Sequence, residues 1–199
     1  MGAYTNPPIY TAAVHKAVQE QVLSPTVQAM KVRGTPYTGV IYAGLMLTKQ
    51  GIKVLEYNAR FGDPECQAIM ALLESDLYEL LYAASTGSLR QTQVSFSNQQ
   101  AVCVVMAAAG YPTSPRKGDT ISIGVVPAEV MVFQAGTAIK NGQLVVAGGR
   151  VLNVVATAPT LQAAVDKVYS ALPAISFEGA HYRRDIAYRA LRPSREDSV

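Results

Sequence analysis

The sequence predicts an α/β (α+β) chain: a helix-and-hairpin region followed by a smaller β-rich region with one packed helix. Three observations carry this. Apolar residues recur at helical spacing over 9–32, β-formers dominate 37–58, and beyond a polar, nearly uncharged stretch at 88–99 the texture turns to short β runs. That stretch places a boundary, giving 1–98, 99–192 and a frayed tail at 193–199. With 199 residues, 49% apolar and 16% charged, the chain is long enough for one substantial core or two modest ones and too apolar for global disorder.

Val14, Ala17, Val18 and Val22 share a helical face, and Ser24-Pro25 reads as an N-cap with proline at the first helical position. Two consecutive helices are expected in 9–32. Gly34-Thr35-Pro36 breaks them. Tyr37 to Thr48 and Ile52 to Asn58, joined through Lys49-Gln50-Gly51, form a hairpin. Asp63-Pro64-Glu65 offers a cap, a first-position proline and a first-turn acid, so a helix starts there, and another runs from Ser75-Asp76 to Gly87.

Past the boundary, strands are expected at 101–108, 120–125, 130–134, on either side of Lys140-Asn141-Gly142-Gln143, and at 151–156. Thr160 caps a helix that carries Leu161, Ala164, Val165, Val168 and Leu172 on one face. The result is a four- or five-stranded antiparallel sheet under one helix. The opening Met1-Gly2-Ala3-Tyr4-Thr5-Asn6-Pro7-Pro8 reads as a turn, as though the chain begins inside something longer.

Composition also narrows function. Seventeen basic against fourteen acidic residues give +3, spread along the chain, so no nucleic-acid footprint is expected. No apolar run reaches the ~18 residues of a membrane span. Cys66 and Cys103 show neither metal nor disulfide spacing, which fits a reducing cytoplasm. His15 and His181 belong to no motif and are read as structural or exposed.

The chemistry concentrates in Val54 to Glu65. On a strand, Glu56 and Asn58 point to one face while Leu55 and Tyr57 point to the other. A carboxylate and an amide oxygen on one face suit a magnesium ion that keeps water and bridges to phosphates; an ordinary solvent-facing polar pair would look the same. Arg60, at the end of the strand, is placed to neutralise an anion or to pair with Glu65. Asp63 serves at least as a helix cap. Walker-type and dinucleotide glycine motifs are absent.

The run VLEYNARFGDPE, preceded by GTPYTGVIYAGLMLTKQG and MGAYTNPP, resembles the phosphoribosylamine–glycine ligases, or glycinamide ribonucleotide synthetases, of the ATP-grasp superfamily. VVMAAAGYP, QAGT, NGQLVVAGGRVLNVVA and FEGAHYRRDIAYRAL follow in that family's order. The resemblance implies the C-terminal half of an ATP-grasp fold followed by the family's C-terminal domain. It also implies an ATP-dependent ligase that joins glycine to 5-phosphoribosylamine in purine biosynthesis.

By that resemblance Glu56 and Asn58 would be Mg2+ or Mn2+ ligands on the ATP phosphates. Arg60 would be the catalytic residue, holding the transferring phosphoryl group or the glycine carboxylate. Gly62, Asp63 and Glu65 would shape the substrate side, and Gly149 and Arg150, in the GGRVL turn, would meet a substrate phosphate. A turn with a surface arginine is the alternative there. Family members are considerably longer, so the N-terminal half of the ligase is an expected partner and the chain alone is expected to be inactive. A non-catalytic fragment or partner domain and a sister ATP-grasp ligase are the rival readings.

Overall fold

The structure, a computed structural model, describes residues 1–192. The frayed tail expected at 193–199 lies outside the described residues. Two compact units emerge: a larger one of Met1–Thr5, Asp63–Leu72 and the chain from Ser97 onward, and a smaller one of Asn6–Gly62 and Leu73–Phe96. From Ser97 onward the chain stays in the larger unit. Two short pieces of the stretch assigned to 1–98, Met1–Thr5 and Asp63–Leu72, count with the larger unit, because each is tied to its sheet by backbone pairing or helix packing.

In the larger unit, β1 (Gly2–Tyr4), β4 (Gln100–Ala107), β9 (Arg150–Ala158) and β6 (Val130–Gln134) form an antiparallel sheet in the order β1-β4-β9-β6. Of the strands expected here, β4, β6 and β9 lie in this sheet, and the edge strand β1 that completes its four comes from the segment read as a turn. Its three residues pair with Val102 to Val104, which supplies the ladder that so short a strand cannot specify alone.

β4 and β9 are buried on both faces, hence their near-continuous Val/Ala/Leu runs. On one face lies α5 (Leu161–Ala171), its N-terminus capped by Thr160 Oγ1, which accepts from the Ala163 N–H at 3.2 Å. Ala164, Val168 and Ala171 bury there with Met106, Leu152 and Val154. Each buried Val or Leu contributes about 1.5–3 kcal/mol. On the other face, α3 (Glu65–Met70) lays Ala68 over Ala101, Cys103 and Val155, with Leu72 just beyond its end. The strands β7 (Thr137–Lys140) and β8 (Gln143–Val146) form the hairpin expected at Asn141-Gly142. β5 (Ser122–Ile123) is shorter than expected and pairs with β10 (Ile175–Ser176).

In the smaller unit, one helical run replaces two separate helices. α1 (Ala12–Val18) passes through a wide turn at Gln19–Leu23 into α2 (Ser24–Val32). Ser24 is not a cap: Leu23 before it is already helical, and the wide turn accommodates Pro25, which lacks an N–H. The true cap is Thr11, whose Oγ1 accepts from the Val14 N–H at 3.3 Å. The expected hairpin is present as β2 (Tyr42–Thr48) and β3 (Gly51–Asn58), starting five residues later than the β-former run. α4 (Leu77–Thr86) starts on Asp76, whose Oδ1 accepts from the Glu79 N–H at 3.1 Å, and ends at Gly87 as expected.

Candidate functional site

The smaller unit holds Glu56, Asn58, Arg60 and Gly62; the larger holds Asp63, Glu65, Gly149 and Arg150. In β3 the register opposes Gly44 to Glu56 and Tyr42 to Asn58, and a bulge leaves Leu55 unpaired. Glu56 and Asn58 therefore share a face as expected, and they touch: Asn58 Nδ2 donates to Glu56 Oε1 at 3.2 Å. An amide turned over about its last torsion presents Oδ1 beside the carboxylate instead, so the pair offers two convergent oxygens. Gly44 makes room for this. A Cβ built there would lie 3.0 Å from Glu56 Cγ. The sequence reading missed Gly44, whose only signal is a glycine in a β-former run opposite an acid.

Among the described residues no three His, Cys, Asp or Glu side chains gather as a metal cage. Glu56 and Asn58 thus fit a hard divalent ion that draws its remaining ligands from water and substrate oxygens, not a closed structural site. Arg60 Nη1 donates to Phe61 O at 2.7 Å, which holds the guanidinium against its own turn. Behind Asn58, Tyr57 OH meets Thr26 Oγ1 at 2.8 Å, beside a mostly apolar cavity of about 230 Å³ lined by Val27, Met30, Tyr37 and Ile41.

Asp63 is not the helix cap that the sequence predicted. Pro64 holds the capping position and no side chain caps the helix. The Asp63 carboxylate instead meets Arg150 Nη2 through Oδ2 at 2.8 Å and accepts from Gln67 Nε2 through Oδ1 at 3.1 Å. Arg150 Nη1 also donates to the Asp63 carbonyl at 3.1 Å. A bulge between Met106 and Ala107 sets Arg150 opposite Ala107 at the start of β9. The GDPE turn and the GGR turn are thereby bonded together within one unit. Gln67 is the second residue missed, since nothing in the sequence marks it as the partner of Asp63. Gly149 serves close approach: a Cβ there would lie 2.4 Å from Tyr111 Cδ2.

Protein-family models of phosphoribosylglycinamide synthetase match the chain twice, its ATP-grasp (A) domain over residues 1–66 and its C domain over residues 101–189. The chain belongs to the phosphoribosylglycinamide synthetase family. It is 47% identical over 192 residues to the phosphoribosylamine–glycine ligase of Rhizobium meliloti, covering 96% of this chain and 45% of that protein. It is 48% identical over 195 residues to the trifunctional purine biosynthetic protein adenosine-3 of Homo sapiens, covering 96% of this chain and 19% of that protein. The chain thus spans about half the length of the single-function ligases it matches.

The crystal structure of the Thermotoga maritima phosphoribosylamine–glycine ligase superposes with a TM-score of 0.79 at 36% identity, over 93% of this chain and 46% of that one. A biotin carboxylase domain from Hydrogenobacter thermophilus shares the fold alone, with a TM-score of 0.64 at 18% identity over 98% of this chain and 42% of that one. The family assignment and the α/β ATP-grasp fold agree with what the NARFGDPE run implied.

Proposed function

We propose that this chain supplies the metal-binding half and the C-terminal domain of a ligase that joins glycine to 5-phosphoribosylamine. ATP is spent, and glycinamide ribonucleotide, ADP and phosphate are formed, in purine biosynthesis in the cytoplasm. The observation that carries the reading is identity near one half across 96% of the chain with ligases of that name, together with the contacting Glu56–Asn58 pair inside the matched run.

Glu56 and Asn58 would hold the divalent ion, Mg2+ or Mn2+, which when bound neutralises charge on the ATP phosphate oxygens. Arg60 would bind the transferring phosphoryl group or the glycine carboxylate through its planar N–H fork, stabilising charge as the glycine acyl phosphate forms and the amine attacks it. Gly62 would lie on the substrate side of that loop. Asp63, held by Arg150 and Gln67, would fix the entrance to α3 so that Glu65 keeps its place on the substrate side. Gly149 and Arg150 would support that turn from the C-terminal domain.

ATP, glycine, 5-phosphoribosylamine and the N-terminal half of the ligase are the partners of this reading. The chain would be inactive without that half. The test combines the chain with the N-terminal portion of a similar ligase and measures ADP release. Release that requires both glycine and phosphoribosylamine supports the proposal. Release that is indifferent to either substrate, or none from two folded components, contradicts it.

A further inference from the structure

Helix α2 carries an apolar face that it does not bury. Thr26, Val27 and Met30 lie on one side of the helix, yet no residue of α2 is buried. These three line the cavity of about 230 Å³ behind Asn58, together with Tyr37, Ile41 and Tyr57. Every lining residue belongs to the smaller unit.

The polarity of this cavity is one-sided, because a hydroxyl has a single hydrogen to give. Thr26 Oγ1 donates its own to the Val22 carbonyl at 2.6 Å, so in the 2.8 Å contact between Thr26 Oγ1 and Tyr57 OH the tyrosine is the donor. Tyr37 OH donates to the Val40 carbonyl. The Tyr37 and Tyr57 oxygens therefore keep lone pairs and have no hydrogen left for a ligand. The Asn58 amide is turned to Glu56, and no charged side chain lines the cavity among the described residues.

An apolar cavity of about 150 Å³ holds one benzene ring, so this one has room for two fused rings. Two tyrosine rings and the Met30 thioether favour an aromatic face. Water gains few hydrogen bonds from mostly apolar walls and gives way to a molecule that fills them.

We propose that this cavity binds a small, uncharged aromatic molecule with one N–H or O–H donor, which it presents to the Tyr37 or Tyr57 oxygen. Asn58 and Ala59 also line the cavity, so an occupant lies against the end of the strand that bears the Glu56–Asn58 pair. The site rests on the cavity and its hydroxyls, not on the ligase reading.

The test compares indole with benzofuran, which has the same fused-ring outline but an acceptor oxygen in place of the N–H. Each is titrated into the 199-residue chain carrying carbon-13 methionine methyls, and the Met30 methyl, assigned from Met30→Leu, is followed by NMR. A saturable shift of that methyl is expected, with indole bound at least about fivefold tighter than benzofuran, the size of one net hydrogen bond. Tyr37→Phe/Tyr57→Phe keeps both rings and removes both acceptors, so the preference should fall below about twofold. Val27→Phe fills the cavity from an exposed helix position and should weaken indole at least tenfold, with the circular dichroism spectrum unchanged. No saturable Met30 shift, equal affinity for the two probes, a preference kept in the double variant, or indole binding unchanged by Val27→Phe overturns the proposal. ADP release judges the ligase reading separately, so either can fail alone.

Discussion

Arg60 is the side chain on which the proposed chemistry turns. Its Nη1 bond to Phe61 O leaves the fork aimed by its own backbone, a constraint that lysine cannot reproduce with a single flexible ammonium. In the assembled ligase, Arg60→Lys is predicted to lower kcat/KM by about 10- to 100-fold, the loss of one charge-assisted bidentate contact. An unchanged kcat/KM removes Arg60 from the site.

Cys103 makes a different kind of prediction. It is fully buried on β4 between Ala3 and Val155, and burial first, then the charges of Asp63 and Glu65, push its thiol up to about 12 from an ordinary 9.0. The buried thiol therefore stays protonated. The stability that this gives is complete below pH 9 and is lost as pH rises toward 12, because the unfolded chain ionises first. Disulfide-exchange reagents at pH 8 should leave Cys103 unmodified until the chain is unfolded, and Cys103→Ala should flatten the alkaline decline in stability. Rapid labelling of the folded chain contradicts this account.

At the scale of elements, the bond between Asp63 and Arg150 joins the start of α3 to the start of β9. Both side chains are about one-third exposed, so water screens the pair and a coupling of about 1 kcal/mol is expected. A double-mutant cycle of Asp63→Ala and Arg150→Ala, read from hydrogen exchange of the α3 amides, should show that coupling. Strictly additive effects would mean that the contact contributes nothing.

The same elements show what the sequence could and could not reveal. α4 and α5 were legible because Asp76 and Thr160 act as side-chain caps ahead of amphipathic runs, and the β7–β8 hairpin because Asn-Gly selects its turn. β1 was not, because three residues beside Asn and two prolines carry no periodicity and become a strand only through their pairing with β4. Ser24-Pro25 and Asp63-Pro64 both looked like caps. In the first the helix was already running, and in the second the carboxylate was drawn away by a cation 87 residues later in the chain. The Glu56–Asn58 pair was legible from strand alternation alone, whereas Gly44 and Gln67 depend on cross-strand register and on helix packing.

At the scale of the molecule, the smaller unit exposes Val54, Leu55 and Tyr57 on the strand that bears Glu56 and Asn58. The isolated pair β2–β3 has little of the packing that makes a two-stranded ribbon stable in water. Both features accord with the proposal that a further part of a ligase covers this strand, in a chain that spans about half the length of the ligases it matches.

The most direct test of that claim is calorimetric titration of Mg-ATP into the chain mixed with the N-terminal portion of a similar ligase, with the native sequence and with Glu56→Gln. The account predicts saturable binding by the native mixture and a loss of at least tenfold in Glu56→Gln, with folding unchanged by circular dichroism. Equal binding by the native and variant mixtures would contradict it.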